Sequence, residues 1–215
     1  IQGITLIKTL KVGIFSGLHN LESLNIRTQY KIVSSIEPKA FLGLSKLKVL
    51  DLSENSLTDL KDNTFIGLRS LEYLNLMFNE IETIYNGTFN GIINLKYLYL
   101  SHNSIIKLGS GYFENLPNVV ELLINNNAIS MNSIVKISFK GLSSLRSLTL
   151  GSYILDRVRS LSFDGLSNLT YLELSYCRMK TFDSDSFYGL ESLRVLDLSN
   201  NFILKLNNTL FFGLS

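Results

Sequence analysis

Few residues in this chain of 215 could carry out chemistry. It contains one cysteine, Cys177, and two histidines, His19 and His102. A single thiol excludes an internal disulfide and any zinc site built on several thiolates. Asp183 and Asp185 are close in sequence, but no nucleophile, base and orienting group can be assigned as a set. The sequence therefore predicts a protein that is not an enzyme and has no cofactor or metal site.

The composition indicates a folded chain without a strong charge of either sign. Hydrophobic residues make up 46% of it and charged residues 18%, below the roughly 25% of an average soluble domain. The 20 Lys and Arg exceed the 18 Asp and Glu by a net charge of +2, with no basic run. The sequence thus gives no sign of nucleic-acid binding. No stretch approaches the roughly 18 consecutive apolar residues of a membrane span.

The sequence repeats itself every 24 to 26 residues. The segments that begin at Leu47, Leu71 and Leu95 share the pattern LxxLxLxxNxIxxIxxxxFxGLxx. This frame predicts one domain, 1–215, with a partial repeat over 1–20 and repeat starts at residues 21, 47, 71, 95, 119, 145, 169 and 193. One position of the frame holds nine of the 13 phenylalanines, and the position two residues later holds eight of the 14 glycines. Such regularity is typical of a solenoid.

Each repeat is predicted to form one turn of a coil. The LxxLxL part alternates with period two, which indicates a short strand with one face inward. Stacked turns place these strands in one parallel sheet and bury columns of Leu, Ile and Phe. The outer segments are too short for full helices, so irregular turns, short 3₁₀ pieces or extended segments are expected there.

The asparagine after each strand has a structural explanation. A buried amide has donors and acceptors that can satisfy backbone groups in two neighbouring turns. Cys177 fits this position as a small buried residue, with a free reactive thiol as the alternative. Gln29 and Tyr153 also interrupt the column, and the bulk of Tyr153 predicts a local distortion. The predicted ladder consists of Asn55, Asn79, Asn103, Asn127, Asn201 and Cys177.

The whole pattern resembles the leucine-rich repeat, in the 24-residue form found in extracellular receptors, and is most similar to that of Toll-like receptor ectodomains. The resemblance implies an α/β fold: a curved horseshoe solenoid with a parallel β-sheet on the concave face and irregular or 3₁₀ segments on the convex face. It also implies recognition of a protein or microbial-pattern ligand, with signalling through homo- or heterodimerisation of the full-length receptor. A secreted or adhesive leucine-rich repeat protein that binds matrix or cell-surface proteins is the alternative, and an intracellular scaffold comes third.

The outward positions around the strands are the candidates for binding. Aromatic residues on adjacent strands offer large contact area at low entropic cost. The competing explanation is that tyrosines are frequent strand formers that pack on their neighbours. The serines that follow the strands are also expected to face outward: Ser53, Ser101, Ser175 and Ser199. The predicted ligand-binding residues on the concave face are Tyr73, Asn75, Phe78, Tyr97, Tyr99, His102 and Leu123.

Three sequons suggest glycosylation and an extracellular location, either as part of a cell-surface membrane protein or as a secreted one. They begin at Asn86, Asn168 and Asn207, and the frame places all three away from the core columns. The chain starts and ends within a repeat and lacks cysteine-paired caps. We therefore expect an internal piece of a longer protein, with the signal peptide, caps, any membrane span and any signalling domain outside it.

Overall fold

Most of every repeat is described by the structure, which is a computed structural model. The described residues are 7–28, 31–129, 134, 137–151, 157–206, 209–212 and 214. The predictions for Gln29, Tyr153 and Asn207 lie outside these residues.

Eight three-residue strands stack in parallel along one side of the molecule, one in each repeat. Neighbouring strands pair at equivalent repeat positions, as Leu50 pairs with Leu74 and Leu74 with Leu98. The register therefore equals the repeat length. In spatial order the strands are β2 (Ser23–Asn25), β4 (Val49–Asp51), β6 (Tyr73–Asn75), β8 (Tyr97–Tyr99), β9 (Glu121–Leu123), β10 (Ser147–Thr149), β12 (Tyr171–Glu173) and β14 (Val195–Asp197).

The opposite side of the coil consists of turns and two-residue strands. The strand pairs are β1 (Thr9–Leu10) with β3 (Ser35–Ile36), β5 (Asp59–Leu60) with β7 (Thr83–Ile84), and β11 (Arg157–Val158) with β13 (Thr181–Phe182). Successive i to i+3 hydrogen bonds, such as Leu44 N to Phe41 O and Leu47 N to Leu44 O, tighten the turns. Irregular convex segments were the prediction, and it is confirmed; no described residue is helical.

A column of stacked phenylalanine rings fills the outer part of the core. From Phe15 to Phe211, successive ring centroids lie 5.6–6.5 Å apart. Strands in a sheet lie roughly 4.7–4.9 Å apart. Each turn therefore occupies more length at its phenylalanine than at its strand, which bends the coil with the sheet on the concave side. This confirms the predicted arc.

The glycine two residues after a ring has a left-handed backbone in seven described repeats, a conformation that other residues adopt at a cost. Gly67 has φ +102°, and a Cβ there would lie 3.2 Å from Leu42 Cδ2 and 3.3 Å from Leu42 Cα. The residue thus needs both a left-handed turn and room for the preceding repeat, and only glycine gives both.

Buried asparagine amides tie each turn to the one before it. Asn79 Nδ2 donates to the carbonyls of Leu52 in the preceding repeat and Leu76 in its own, at 3.0 and 3.1 Å. Its Oδ1 accepts the amide N–H of Leu57 at 3.1 Å. The same three kinds of bond are made by Asn55, Asn103, Asn127 and Asn201.

Cys177 occupies the ladder position of its repeat and is fully buried. Its Sγ lies 3.3 Å from the carbonyl of Ser175. A thiol cannot replace both functions of an amide, and Asn201 Oδ1 in the next repeat accepts the N–H groups of Cys177 and Met179, each at 3.0 Å. Burial and this contact account for the cysteine within the fold.

Replacing a ladder amide should destabilise the fold far more than replacing an exposed one. In Asn79→Ala, the buried N–H of Leu57 loses its acceptor, which costs about 1–3 kcal/mol. The carbonyls of Leu52 and Leu76 each lose one of two ladder donors and keep the other, from Asn55 and Asn103, which adds about 0.5–1.5 kcal/mol for each bond. We expect the free energy of unfolding in urea to fall by more than about 2 kcal/mol. The control is Asn118→Ala, whose exposed amide bonds to Ile93 O; it should change stability by no more than about 0.5 kcal/mol. Equal losses in the two variants would contradict the role of the ladder.

Candidate ligand-binding face

Three tyrosines form a cluster near the centre of the concave sheet. The register places Tyr73 of β6 directly beside Tyr97 of β8. The ring of Tyr73 meets that of Tyr99 edge-on, with 5.2 Å between centroids, and lies 6.4 Å from that of Tyr97. Tyr97 is 37% exposed, while Tyr73 and Tyr99 are half-buried. The structure thus brings these three predicted residues together on two adjacent strands.

Phe78 and His102 form a second aromatic pair at the turn that follows these strands. Their rings stack with 4.3 Å between centroids and an interplanar angle of 12°. Phe78 is 44% exposed, and His102 is exposed as well. His102 Nε2 lies 3.2 Å from Asn126 Nδ2, which makes this ring nitrogen the acceptor when the imidazole is neutral.

The backbone at Phe78 and His102 is left-handed, with φ 57° at both residues. Non-glycine residues rarely adopt such angles, and a strained backbone often marks a functional site. Here the same conformation recurs at the residue before every ladder position that is described after residue 31. The other members are Glu54, Asn126, Tyr176 and Asn200, with φ of 53–56°. The turn geometry of the repeat therefore explains the backbone, and only the choice of aromatic side chains is particular to Phe78 and His102.

Asn75 has a structural partner that the sequence pattern did not reveal. Its Oδ1 accepts the amide N–H of Met77 at 3.0 Å and caps the end of β6. The last strand residue does the same in four other repeats: Asn25, Asp51, Glu173 and Asp197. Asn75 thus uses its side-chain oxygen inside the fold, which weakens its candidacy as a ligand contact.

Three neighbouring strands lack this capping side chain. Tyr99, Leu123 and Thr149 stand side by side at the last position of β8, β9 and β10. The hydroxyl of Tyr99 is too far from its own backbone to make the capping bond, and the alkyl group of Leu123 has no hydrogen-bond acceptor. The centre of the concave face therefore lacks a repeated stabilising contact, and at Tyr99 and Leu123 a large side chain stands in its place. An interruption of the Asn/Asp column in the sequence would have revealed this region.

Glu121 joins the tyrosine cluster, although the sequence pattern did not single it out. It lies beside Tyr97 in the register, and its Oε1 accepts the hydroxyl of Tyr99 at 3.3 Å. Burial, and then the charge and hydrogen bond of Glu121, raise the pKa of Tyr99 to about 12. The sequence could not show the bond, because it joins residues 22 positions apart.

Three of the serines that follow the strands do not face outward as expected, whereas the fourth, Ser199, is exposed. Ser53, Ser101 and Ser175 are 4%, 1% and 9% exposed. The backbone N–H of Ser53 is capped by Asp51, and the hydroxyl of Ser101 bonds to Asn125 Oδ1. The prediction was wrong because the chain already turns inward toward the ladder at this point, so that longer neighbours cover the short side chains.

Glycosylation candidates lie on two different sides. Asn86 is exposed next to β7 on the convex side, and Asn168 is exposed shortly before β12. Asn168 Nδ2 donates to Ser143 O at 2.9 Å. It lies in a shallow groove of about 680 Å³ along the residues that precede the strands, together with Lys48, Glu72, Lys96 and Arg146. The ion pairs Lys48–Glu22 and Lys96–Glu72, at 2.9 and 2.8 Å, neutralise one end of this flank.

Comparison with known proteins agrees with the repeat architecture. The model of the leucine rich repeat family matches residues 29–81, 70–129, 93–152, 130–179, 143–203 and 167–215. The chain belongs to the leucine-rich repeat family. The resemblance stated from the sequence is confirmed by this match and by the structural similarity to a Toll-like receptor that follows. No curated protein matches the sequence.

Two solved structures resemble this leucine-rich repeat domain. The first is TLR13 in the crystal structure of a TLR13–ssRNA13 complex, with 29% sequence identity and a TM-score of 0.82, covering 89% of this chain and 26% of that one. The second is an internalin, inlF, of Listeria monocytogenes, with 21% identity and a TM-score of 0.65, covering 89% of this chain and 52% of the other. The internalin shares the fold. The domain thus spans about a quarter of the TLR13 chain.

Two other features concern metal binding and membrane insertion of the described part of the domain. This part contains no group of three or more His, Cys, Asp or Glu side chains that could hold a metal ion. None of its segments forms a helix of the length and apolar character that a membrane crossing requires.

The raised pKa of Tyr99 can be measured directly. With ¹³C at tyrosine Cζ, we expect one resonance that titrates near pH 12 and disappears in Tyr99→Phe. The neutral phenol is the form that the fold favours, so its contribution to stability is complete below pH 10 and is lost as the pH rises through about 12. Glu121→Gln should lower this pKa because it removes a neighbouring negative charge. A Tyr99 resonance that titrates at pH 10 in the unmodified protein would rule out this environment.

Proposed function

We propose that this leucine-rich repeat domain belongs to the ligand-binding ectodomain of a Toll-like receptor of the cell surface. The full-length receptor would bind a protein or microbial-pattern ligand and signal by forming a homo- or heterodimer. The similarity to TLR13 supports this assignment, because it combines 29% identity with a TM-score of 0.82 over 89% of the domain. Leucine-rich repeat domains of this kind are typically binding modules without catalytic activity, and the proposed role is accordingly non-enzymatic.

The ligand site of this proposal is the centre of the concave face. It consists of Tyr73, Tyr97, Tyr99 and Leu123, flanked by the stacked pair of Phe78 and His102. The observation that carries the proposal is the loss of the strand-end cap at Tyr99, Leu123 and Thr149. A stabilising side chain is absent in three consecutive repeats where aromatic and apolar groups cluster instead. Packing between tyrosines alone would not require that loss.

The proposed extracellular location receives support from the exposure of Asn86 and Asn168. Glycans are bulky and need surface positions. At Asn86, a glycan would project from the convex side, away from the tyrosines. At Asn168 it would cover part of the flank groove. Both positions leave the centre of the concave sheet open to a ligand.

We expect glycans at Asn86, Asn168 and Asn207 when the full-length protein is made in secretory cells. Treatment with a glycosidase that leaves aspartate, followed by peptide mapping, should show a mass change at each asparagine. Asn86→Gln and Asn168→Gln should each remove one glycan from the intact protein. Asn94, an exposed asparagine outside any sequon, is the internal control and should remain unmodified. Unmodified Asn86 and Asn168 in secreted protein would remove this support for the location.

Loss of the two central tyrosines should abolish recognition without harming the fold. The full-length receptor would be expressed in reporter cells and exposed separately to the protein, lipid and nucleic-acid fractions of a bacterial lysate. We expect one fraction to activate it, and the double variant Tyr97→Ala, Tyr99→Ala to respond at least about tenfold more weakly, as for central interface residues. Surface expression should be unchanged.

The matched control is Tyr188→Ala, which removes a tyrosine that is 52% exposed on the convex side. Its response should equal that of the unaltered receptor. A full response from the double variant would exclude the concave tyrosines as the ligand site. Absence of any response in correctly displayed receptor would count against the receptor assignment itself.

The alternative function is that of a secreted or adhesive leucine-rich repeat protein that binds matrix or cell-surface proteins. The shared fold of the internalin is compatible with it, although 21% identity speaks only for the fold. The complete reading frame discriminates between the two. A membrane helix followed by a Toll-type signalling domain would establish the receptor, whereas a secreted product that ends after a capping segment would establish the alternative.

A further inference from the structure

The charges of the concave sheet are of one sign. Its eight strands contain four carboxylates and no lysine or arginine: Asp51, Glu121, Glu173 and Asp197. Arg27, which follows β2, is paired with Glu54 at 2.5 Å. Lys48, Lys96 and Arg146 lie on the flank that precedes the strands. The face that carries the tyrosines is therefore acidic, whereas the basic residues are displaced to its side.

Only one of the four carboxylates is not used to cap a strand. Asp51, Glu173 and Asp197 each accept a backbone N–H two residues further on. Glu121 stands at the first position of its strand and accepts only the Tyr99 hydroxyl among the described residues. No lysine or arginine of the described part lies within 4.0 Å of its carboxylate. This half-buried carboxylate thus keeps acceptor capacity and has no ion-pair partner within the part of the chain that the structure describes.

The tyrosine rings beside Glu121 complete a site for a cation. An ammonium or guanidinium group is attracted to the face of a tyrosine ring within roughly 6 Å of its centroid. Tyr97 is directly beside Glu121 in the register and exposes 37% of its surface. A cation in contact with this ring would reach the carboxylate at the same time. Lysine and arginine side chains also have apolar stems, which the rings of Tyr73 and Tyr99 can cover.

We propose that Tyr73, Tyr97, Tyr99 and Glu121 bind a lysine or arginine side chain of a protein ligand. The inference rests on the proposed function, since it assigns the ligand class of the same face. The negative field of the sheet is felt within the cluster itself: burial, and then Asp51 and Glu121, raise the pKa of Tyr73. A nucleic acid could stack its bases on these rings, but its phosphates need basic partners, and the strands supply none.

Four probes test the ligand class on the immobilised full-length protein, and the peptides among them have uncharged, blocked termini. They are a (Gly-Lys)4 peptide, the same peptide with acetylated lysines, a (Gly-Glu)4 peptide and a uridine 12-mer of single-stranded RNA. We expect only the lysine peptide to bind. Its affinity should fall at least about fivefold between 0.05 and 0.3 M NaCl, because a cation and a partly exposed carboxylate are screened by salt.

Matched variants locate the binding of the lysine peptide. Glu121→Gln preserves the size of the side chain and should weaken binding at least fivefold, and Tyr97→Ala should do the same. Glu82→Gln, which removes an exposed carboxylate from the opposite side of the coil, should leave the affinity unchanged. Tyr99→Phe keeps the ring and releases Glu121 from its hydrogen bond, so this variant should bind at least as tightly as the unaltered protein. The fold of each variant is verified by thermal unfolding, whose midpoint temperature should equal that of the unaltered protein.

The outcomes separate this inference from the proposed function. Equal binding of the lysine peptide to Glu121→Gln, or binding to none of the probes, overturns the cation site. Binding of the RNA or of the glutamate peptide, abolished by Tyr97→Ala, also overturns it but leaves the concave face as a ligand site. Failure of the proposed function itself appears in the reporter assay, where the double tyrosine variant would retain its response.

Discussion

A side-chain amide that follows five of the eight strands holds successive turns together. It accepts one backbone N–H and donates to two carbonyls, in its own repeat and in the preceding one. A coil of three-residue strands has few ladder hydrogen bonds of its own, and a buried polar group without a partner is costly. The ladder therefore allows the chain to turn inside the coil. The register of the sheet and the phenylalanine column both follow from turns fixed at that spacing.

The proposed ligand-binding face lies where the repeat lacks its strand-end cap, a contact that is less essential than the ladder. Caps at the ends of the strands recur in five repeats, and four of the five are exposed or only partly buried. A substitution at such a position costs less stability than one in the ladder, because fewer buried polar groups depend on it. Tyr99, Leu123 and Thr149 replace the cap on the central strands and leave an apolar centre among polar neighbours.

The concave face is acidic. The strands carry carboxylates alone, while the basic residues of the flank are partly neutralised by Glu22 and Glu72. A net charge near zero for the chain conceals this separation. The similarity to a TLR13 that was crystallised with RNA does not transfer a ligand, because recognition depends on side chains that differ from one solenoid to another. The fold supplies a rigid array of outward positions, and the residues at those positions choose the partner.

The sequence by itself determined the solenoid, its columns and the positions of its strands. Burial in this fold repeats with the sequence period, so the spacing of Leu, Asn, Phe and Gly was sufficient to predict them. Only the tertiary structure decided the role of individual surface residues: Asn75 as a cap, Ser101 as buried, Phe78 stacked on His102, and Glu121 bonded to Tyr99. The last three of these roles depend on contacts between adjacent turns, 22 to 24 residues apart along the chain, and the Asn75 cap depends on the local angle of the backbone after the strand. A period in the sequence fixes which turn a residue belongs to, but not the direction in which its side chain reaches the next turn.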